Sequence, residues 1–253
     1  MSHFKLLLLL SSSLSFHLGL VRPESPDAED KIMVTTLRER IWQQAGVPAE
    51  IFLKVSLLPS NPCANKILTR RIKTVTWLAT AGESMVILGA LRNAPWPSGT
   101  LLDLLGPAEA SQLTVPFVVG ASLVIIGGYA RVVSSRALGP LFTFVQCLRK
   151  EHKLVTGGPY AIVRHPGYSG LLLCIIGWGI MHGTPGSWLR LSGMLDVTWV
   201  RVILAPTCLL LLACIVTVFR RSADEDRYLS QRFGEEWKNW ARRVRYQLIP
   251  FVY

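Results

Sequence analysis

The stretch 157–170, GGPYAIVRHPGYSG, sets two tyrosines, an arginine and a histidine directly against the apolar run LLLCIIGWGI. Pro166 suits the first position of a helix, and His165, preceding a proline, is biased away from helical geometry, so the spacing predicts a helix starting at 166. The unpaired N–H groups of that helix end, with Arg164 and His165 beside them, make a place that favours carboxylates or phosphates. A snorkelling arginine and a belt of interfacial tyrosines would leave the same residues in the same order.

A second group lies in the tail RRSADEDRYLSQRFGEEWKNWARRVRYQLIPFVY, 220–253. Arg221 and Glu225 are four apart, so on one helix they share a face and can pair. Ser222 with Glu225 also fits the S-x-x-E pattern of a helix cap, a purely structural use of the glutamate. Gly234 is expected to end this helix, and Trp237, Trp240, Ala241 and Val244 fall at i, i+3, i+4 and i+7 of a following one, expected in the headgroup region.

The elements that must carry these groups are membrane helices. Half of the 253 residues are hydrophobic and the mean hydropathy is +0.36, more apolar material than one soluble core takes up. Four apolar segments, 74–91, 115–133, 168–182 and 202–219, are expected spans, the third short for a bilayer that needs about 20 helical residues. Glu83 sits inside the first, where an ionisable group must face other helices, a partner or water. The segment 1–20 has a basic start and an apolar core like a signal peptide without a convincing cleavage site, and is expected to be an uncleaved anchor. The fold class expected is thus an all-α polytopic integral membrane protein with four or five membrane helices, organised as 1–20, a polar region 21–73, two spans in 74–133, and a region 134–253 built around a helical hairpin.

The net charge of +11 comes from lysines and arginines that flank the apolar runs, so they read as cytosolic anchors rather than a nucleic-acid surface. By that rule 134–167 and 220–253 both face the cytosol, and any chemistry belongs where loop and tail meet. Cys63, Cys147, Cys174, Cys208 and Cys214 show no metal-ligand spacing, and no metal is expected.

Two motifs in this region resemble a known family. HKLVTGGPYAIVRHPGYSG is similar to the H-x-L-V-T-x-G-x-Y and R-H-P-x-Y-x-G of isoprenylcysteine carboxyl methyltransferases, and EDRYLSQRFGEEW to their E-E-x-x-L and F-G-x-E-Y. The similarity runs over about 138–252. Asp226 stands where the family often has glutamate, Trp237 replaces the usual tyrosine and Arg245 the proline of a V-P pair. The resemblance implies transfer of a methyl group from S-adenosylmethionine to the carboxylate of a prenylated cysteine, in a protein of the endoplasmic reticulum with a cytosolic cofactor pocket formed by loop and tail. It implies that Gln146, His152, Lys153, Leu154, Val155, Tyr160, His165, Pro166, Gly167, Tyr168 and Glu225 hold the cofactor and that Arg221 is the catalytic contact to the substrate. The acceptor would be a prenylated protein or another hydrophobic carboxylic acid. An NADPH-dependent sterol reductase has a similar ending but usually an acidic residue where Leu171 stands; a phospholipid N-methyltransferase and an inactive lipid-binding protein are the other readings.

Overall fold

A computed structural model describes residues 2–21, 31–33, 62–92, 112–141, 147–149 and 153–252. Among the described residues five long helices carry the architecture: α1 (Ser2–Gly19), α2 (Pro62–Arg92), α3 (Val115–Leu138), α4 (Pro166–Gly183) and α6 (Thr198–Phe233), with the short α5 (Trp188–Leu191) and the amphipathic α7 (Glu235–Arg243). The extended pairing among the described residues is a small antiparallel ladder, β1 (Lys31–Met33) against β2 (Cys147–Arg149), with Lys31 opposite Arg149.

Each apolar segment expected to span falls within one helix, in α2, α3, α4 and α6, and 2–19 forms α1. Of these, α3 and α6 are long and apolar enough to cross a membrane. On α6 the large side chains of Trp199, Val202, Leu209, Leu212 and Val216 are exposed rather than turned into the protein. Such a helix is stable only where its surroundings are as apolar as its surface, which identifies a helical integral membrane protein. Its apolar part passes without a break into a charged part, since the 36 residues of α6, about 54 Å at 1.5 Å per residue, run on past Phe219.

The chain forms two compact units. One gathers Met1–Leu20, Arg70–Val132 and Gly167–Leu212, the other the described parts of Val21–Thr69, Val133–Pro166 and Ala213–Tyr253.

Within the first unit, α3 and α4 meet backbone to backbone along a glycine seam. A Cβ on Gly120 would lie 2.6 Å from the carbonyl oxygen of Gly177, and one on Gly170 2.5 Å from that of Gly127. The paired positions are two turns apart on each helix, so the two backbones approach closely at two levels of the contact, the usual route to tight packing where no hydrophobic effect drives helices together. Gly128 lets Ser15 of α1 approach α3 in the same manner. Arg131 of α3 then ties two helix ends, its Nε donating to the Gly19 carbonyl at 2.7 Å and its Nη1 to that of Gly167 at 2.9 Å.

Two buried groups of this unit, Lys5 and His182, meet at Glu83 of α2. Lys5 Nζ of α1 lies 2.7 Å from Glu83 Oε1, both side chains 1% exposed, with His182 Nδ1 of α4 3.9 Å from the other oxygen. Lys5 Nζ also sits 4.8 Å from the ring centroid of Phe117 on α3. Glu83 therefore faces other helices, one of the environments open to it from sequence.

Candidate functional site

The charged half of α6 buries a stripe of Val218, Ser222, Asp226 and Leu229, which recur at helical spacing along one side. Because the helix is continuous through this region, Ser222 is not a cap: its Oγ donates to the Phe219 carbonyl at 3.0 Å, within the turn behind it. The capping use of Glu225 is thereby removed. Arg221 and Glu225 lie one turn apart and one position to the side of the stripe, and the Glu225 side chain is 40% exposed.

Helix α6 stops at Phe233, where Gly234 adopts a positive φ of 51° that a side chain would oppose. Acidic residues at the start of α7 and arginines at its end match the helix dipole. Lys238 hydrogen-bonds Glu235 at 2.7 Å and holds that exposed carboxyl below the ordinary glutamate range.

Helix α7 presents Trp240, and beyond it Val244, to the loop 153–163. Trp240, Val244 and Tyr160 form a buried cluster on which Leu138, Leu154, Val155 and Trp237 pack. Trp240 Nε1 donates to the Tyr160 carbonyl at 3.2 Å, so the ring fills the core and fixes the loop backbone together.

Two residues further on, loop and tail run side by side: Arg164 N donates to the Tyr246 carbonyl at 2.9 Å and His165 N to the Gln247 carbonyl at 3.0 Å. Asp226 of α6 joins all three segments. Its Oδ1 lies 2.9 Å from His165 Nε2, and its Oδ2 accepts from Arg164 Nη1 at 2.7 Å and from Gln247 Nε2 at 2.9 Å. The anion expected beside Arg164 and His165 is thus first of all the chain's own carboxylate. His165 Nδ1 faces the other way, 3.8 Å from Glu225 Oε2.

Among the sequence candidates, Lys153, Leu154, Val155, Tyr160, His165, Pro166, Arg221 and Glu225 all lie in this unit. Pro166 opens α4 as its first residue. Gly167 and Tyr168, in the first turn of α4, belong to the other unit, and Gln146 and His152 lie outside the described residues. Sequence reasoning missed Gln247, and treated Asp226 only as a departure from a family pattern. The signal for Asp226 was an acidic residue at a position of the buried helical stripe, since an aspartate is almost never buried unless paired.

Arg164 Nε and Trp237 Nε1 are buried donors without a protein acceptor among the described residues, and the Arg164 guanidinium lies 5.8 Å from the Trp237 ring. Unmatched buried donors are rare in finished structures and call for an acceptor. A ligand that carries a carboxylate or another hydrogen-bond acceptor fits these two donors.

Comparison with known proteins agrees with the resemblance drawn from the two motifs. The family model described as phospholipid methyltransferase matches residues 115–205. The chain is 32% identical over 139 residues to protein-S-isoprenylcysteine O-methyltransferase B of Arabidopsis thaliana, a match covering 53% of this chain and 58% of the relative. It is 30% identical over 161 residues to the Homo sapiens protein-S-isoprenylcysteine O-methyltransferase, covering 62% and 49%. A Delta(14)-sterol reductase of Mus musculus is 34% identical over 101 residues, covering 40% of this chain and 20% of the reductase. The chain therefore spans about half the length of the methyltransferases it matches. No solved structure matches it.

Proposed function

We propose that the protein is a membrane methyltransferase that uses S-adenosylmethionine to esterify the carboxylate of a prenylated cysteine or a related hydrophobic acid. The observation that supports this best is the similarity to protein-S-isoprenylcysteine O-methyltransferases, together with the meeting of the two family-like motifs at Asp226. When bound, the cofactor supplies a methyl group on a sulfonium, which an anionic oxygen can displace.

The chain's residues have correspondingly little proton chemistry to perform. A C-terminal carboxyl with an ordinary pKa near 3.5 is already ionised at neutral pH, so no general base is required. Arg221 holds that carboxylate with its planar fork. Glu225, one turn on and half-exposed, accepts hydrogen bonds from the cofactor beside His165, and Lys153, Leu154 and Val155 form the loop wall. Tyr160 supports that wall from the core. Holding two reactants in line is worth on the order of 7–11 kcal/mol, enough to make positioning the main catalytic device. The bilayer admits the prenyl chain, and the pocket opens to the cytosol at the endoplasmic reticulum.

The match to a sterol reductase supports a second reading, hydride transfer from NADPH. Binding of radiolabelled S-adenosylmethionine and of NADPH to the detergent-purified protein separates the two. Saturable binding of the first, with label transferred to a farnesyl-cysteine acceptor, is the expected result; binding of NADPH alone would overturn it.

A further inference from the structure

The arrangement of donors around Asp226 goes one step further than the proposed reaction and rests on it for its functional consequence. We infer that Asp226 is a positioning residue that sets the tautomer and direction of His165 toward the cofactor, acting through the imidazole and not by contact of its own.

A carboxylate oxygen only accepts, so the His165 Nε2 that lies 2.9 Å from Asp226 Oδ1 is the nitrogen that donates. In the neutral ring this leaves Nδ1, on the side of Glu225, as the acceptor. The backbone fixes the ring's origin as well, because His165 N is held by the Gln247 carbonyl at 3.0 Å and the side chain is 5% exposed. Asp226 is in turn held from behind: Oδ2 takes both Arg164 Nη1 and Gln247 Nε2, from segments 60 or so and about 20 residues away in the chain. The carboxylate is therefore already anchored when it meets the imidazole, and the ring follows it. A histidine whose second nitrogen is set by a carboxylate is the ordinary way proteins choose between tautomers.

The unequal loading of the two oxygens predicts what an isosteric change does. In Asp226→Asn the amide oxygen must stay with the two donors, Arg164 and Gln247, which turns the new NH2 group toward His165. Nε2 then becomes an acceptor, the proton moves to Nδ1, and the side facing Glu225 changes from acceptor to donor with the volume unchanged. Asp226→Glu keeps the charge and both faces, at the cost of one extra methylene.

Two readouts on the full-length protein in nanodiscs test this. The first is nitrogen NMR of histidine-labelled protein, with the His165 signals assigned by their loss in His165→Gln. The expected neutral form carries its proton on Nε2 in the wild type and on Nδ1 in Asp226→Asn; a proton on Nδ1 in the wild type, or no change in the variant, overturns the inference. The second is S-adenosylmethionine affinity. Asp226→Asn is expected to weaken it about tenfold or more, the scale of one hydrogen bond to a charged group, and Asp226→Glu to recover a large part. In a His165→Gln background Asp226→Asn should cost nothing further, whereas equal losses in both backgrounds would make the aspartate a scaffold residue only and overturn the positioning role. If the wild type binds no S-adenosylmethionine, the methyl-transfer reading falls, and the tautomer measurement still decides the role of Asp226.

Discussion

Lys5 of the first helix and Glu83 of the second form an ion pair of 2.7 Å with both side chains 1% exposed. The pair packs residues 2–19 against α2, reinforced where Ser13 and Thr80 hydroxyls meet at 2.6 Å. Loss of 1–20 would leave Glu83 buried without its cation. The purified protein is therefore expected to retain this segment, which N-terminal sequencing or intact mass checks directly.

The same pair predicts a characteristic mutational pattern. Lys5→Ala should destabilise the protein by roughly 3–5 kcal/mol, because it strands one buried charge. The double change Lys5→Ala with Glu83→Ala should recover much of the loss, since it removes the charge as well as the partner. Thermal unfolding in one detergent compares the three proteins; a double variant as unstable as the sum of the singles would remove the ion pair as the cause.

Helix α4 offers a matched pair of glycines for testing the seam. A Cβ at Gly177 would meet the Gly120 carbonyl oxygen at 2.5 Å, while one at Gly179 has nothing within 4 Å. Gly177→Ala should cost about 1–3 kcal/mol through overpacking. Gly179→Ala should be neutral or stabilising by up to ~1 kcal/mol, as alanine is the better helix former. Equal unfolding midpoints for the two would count against close contact of α3 and α4.

Trp240 joins a core contact to a backbone hydrogen bond on Tyr160. Trp240→Phe should keep most of the packing but lose this hydrogen bond, for about 0.5–1.5 kcal/mol. Trp240→Ala should cost about 3–5 kcal/mol and loosen the loop 153–163. Limited proteolysis of that loop, alongside unfolding, distinguishes local loosening from global loss.

Arg221 and Glu225 are expected to divide acceptor and cofactor between them. Arg221→Ala should slow methyl transfer with cofactor affinity nearly intact, Arg221→Lys should remain poor because an ammonium lacks the two-pronged fork, and Glu225→Ala should lose the cofactor itself. If the two were only a surface pair, each change would cost at most about 1 kcal/mol of stability and leave turnover alone. The deciding quantities are turnover per folded molecule and cofactor affinity for the three variants.

The sequence by itself determined the elements and their boundaries where local chemistry is strong. The apolar runs mark α2, α3, α4 and α6, Pro166 opens α4, Gly234 closes α6, and the spacing of Trp237, Trp240 and Val244 puts them on one side of the chain at α7, although they pack on Tyr160 and its loop where the spacing alone suggested the headgroup region. It also led to the expectation that the Arg164–His165 turn and the charged tail come together, because basic residues mark both as lying on the same side of the expected spans. Only the tertiary structure decided how they meet. Whether Glu225 caps a helix or lies within one depends on α6 continuing past Phe219, which its packing settles and its propensities do not. That Lys5 reaches Glu83, 78 positions away, and that Asp226 rather than an outside anion takes Arg164, His165 and Gln247, depends on partners remote in sequence. Burial makes those partners obligatory, and no local pattern says which distant residue will supply them.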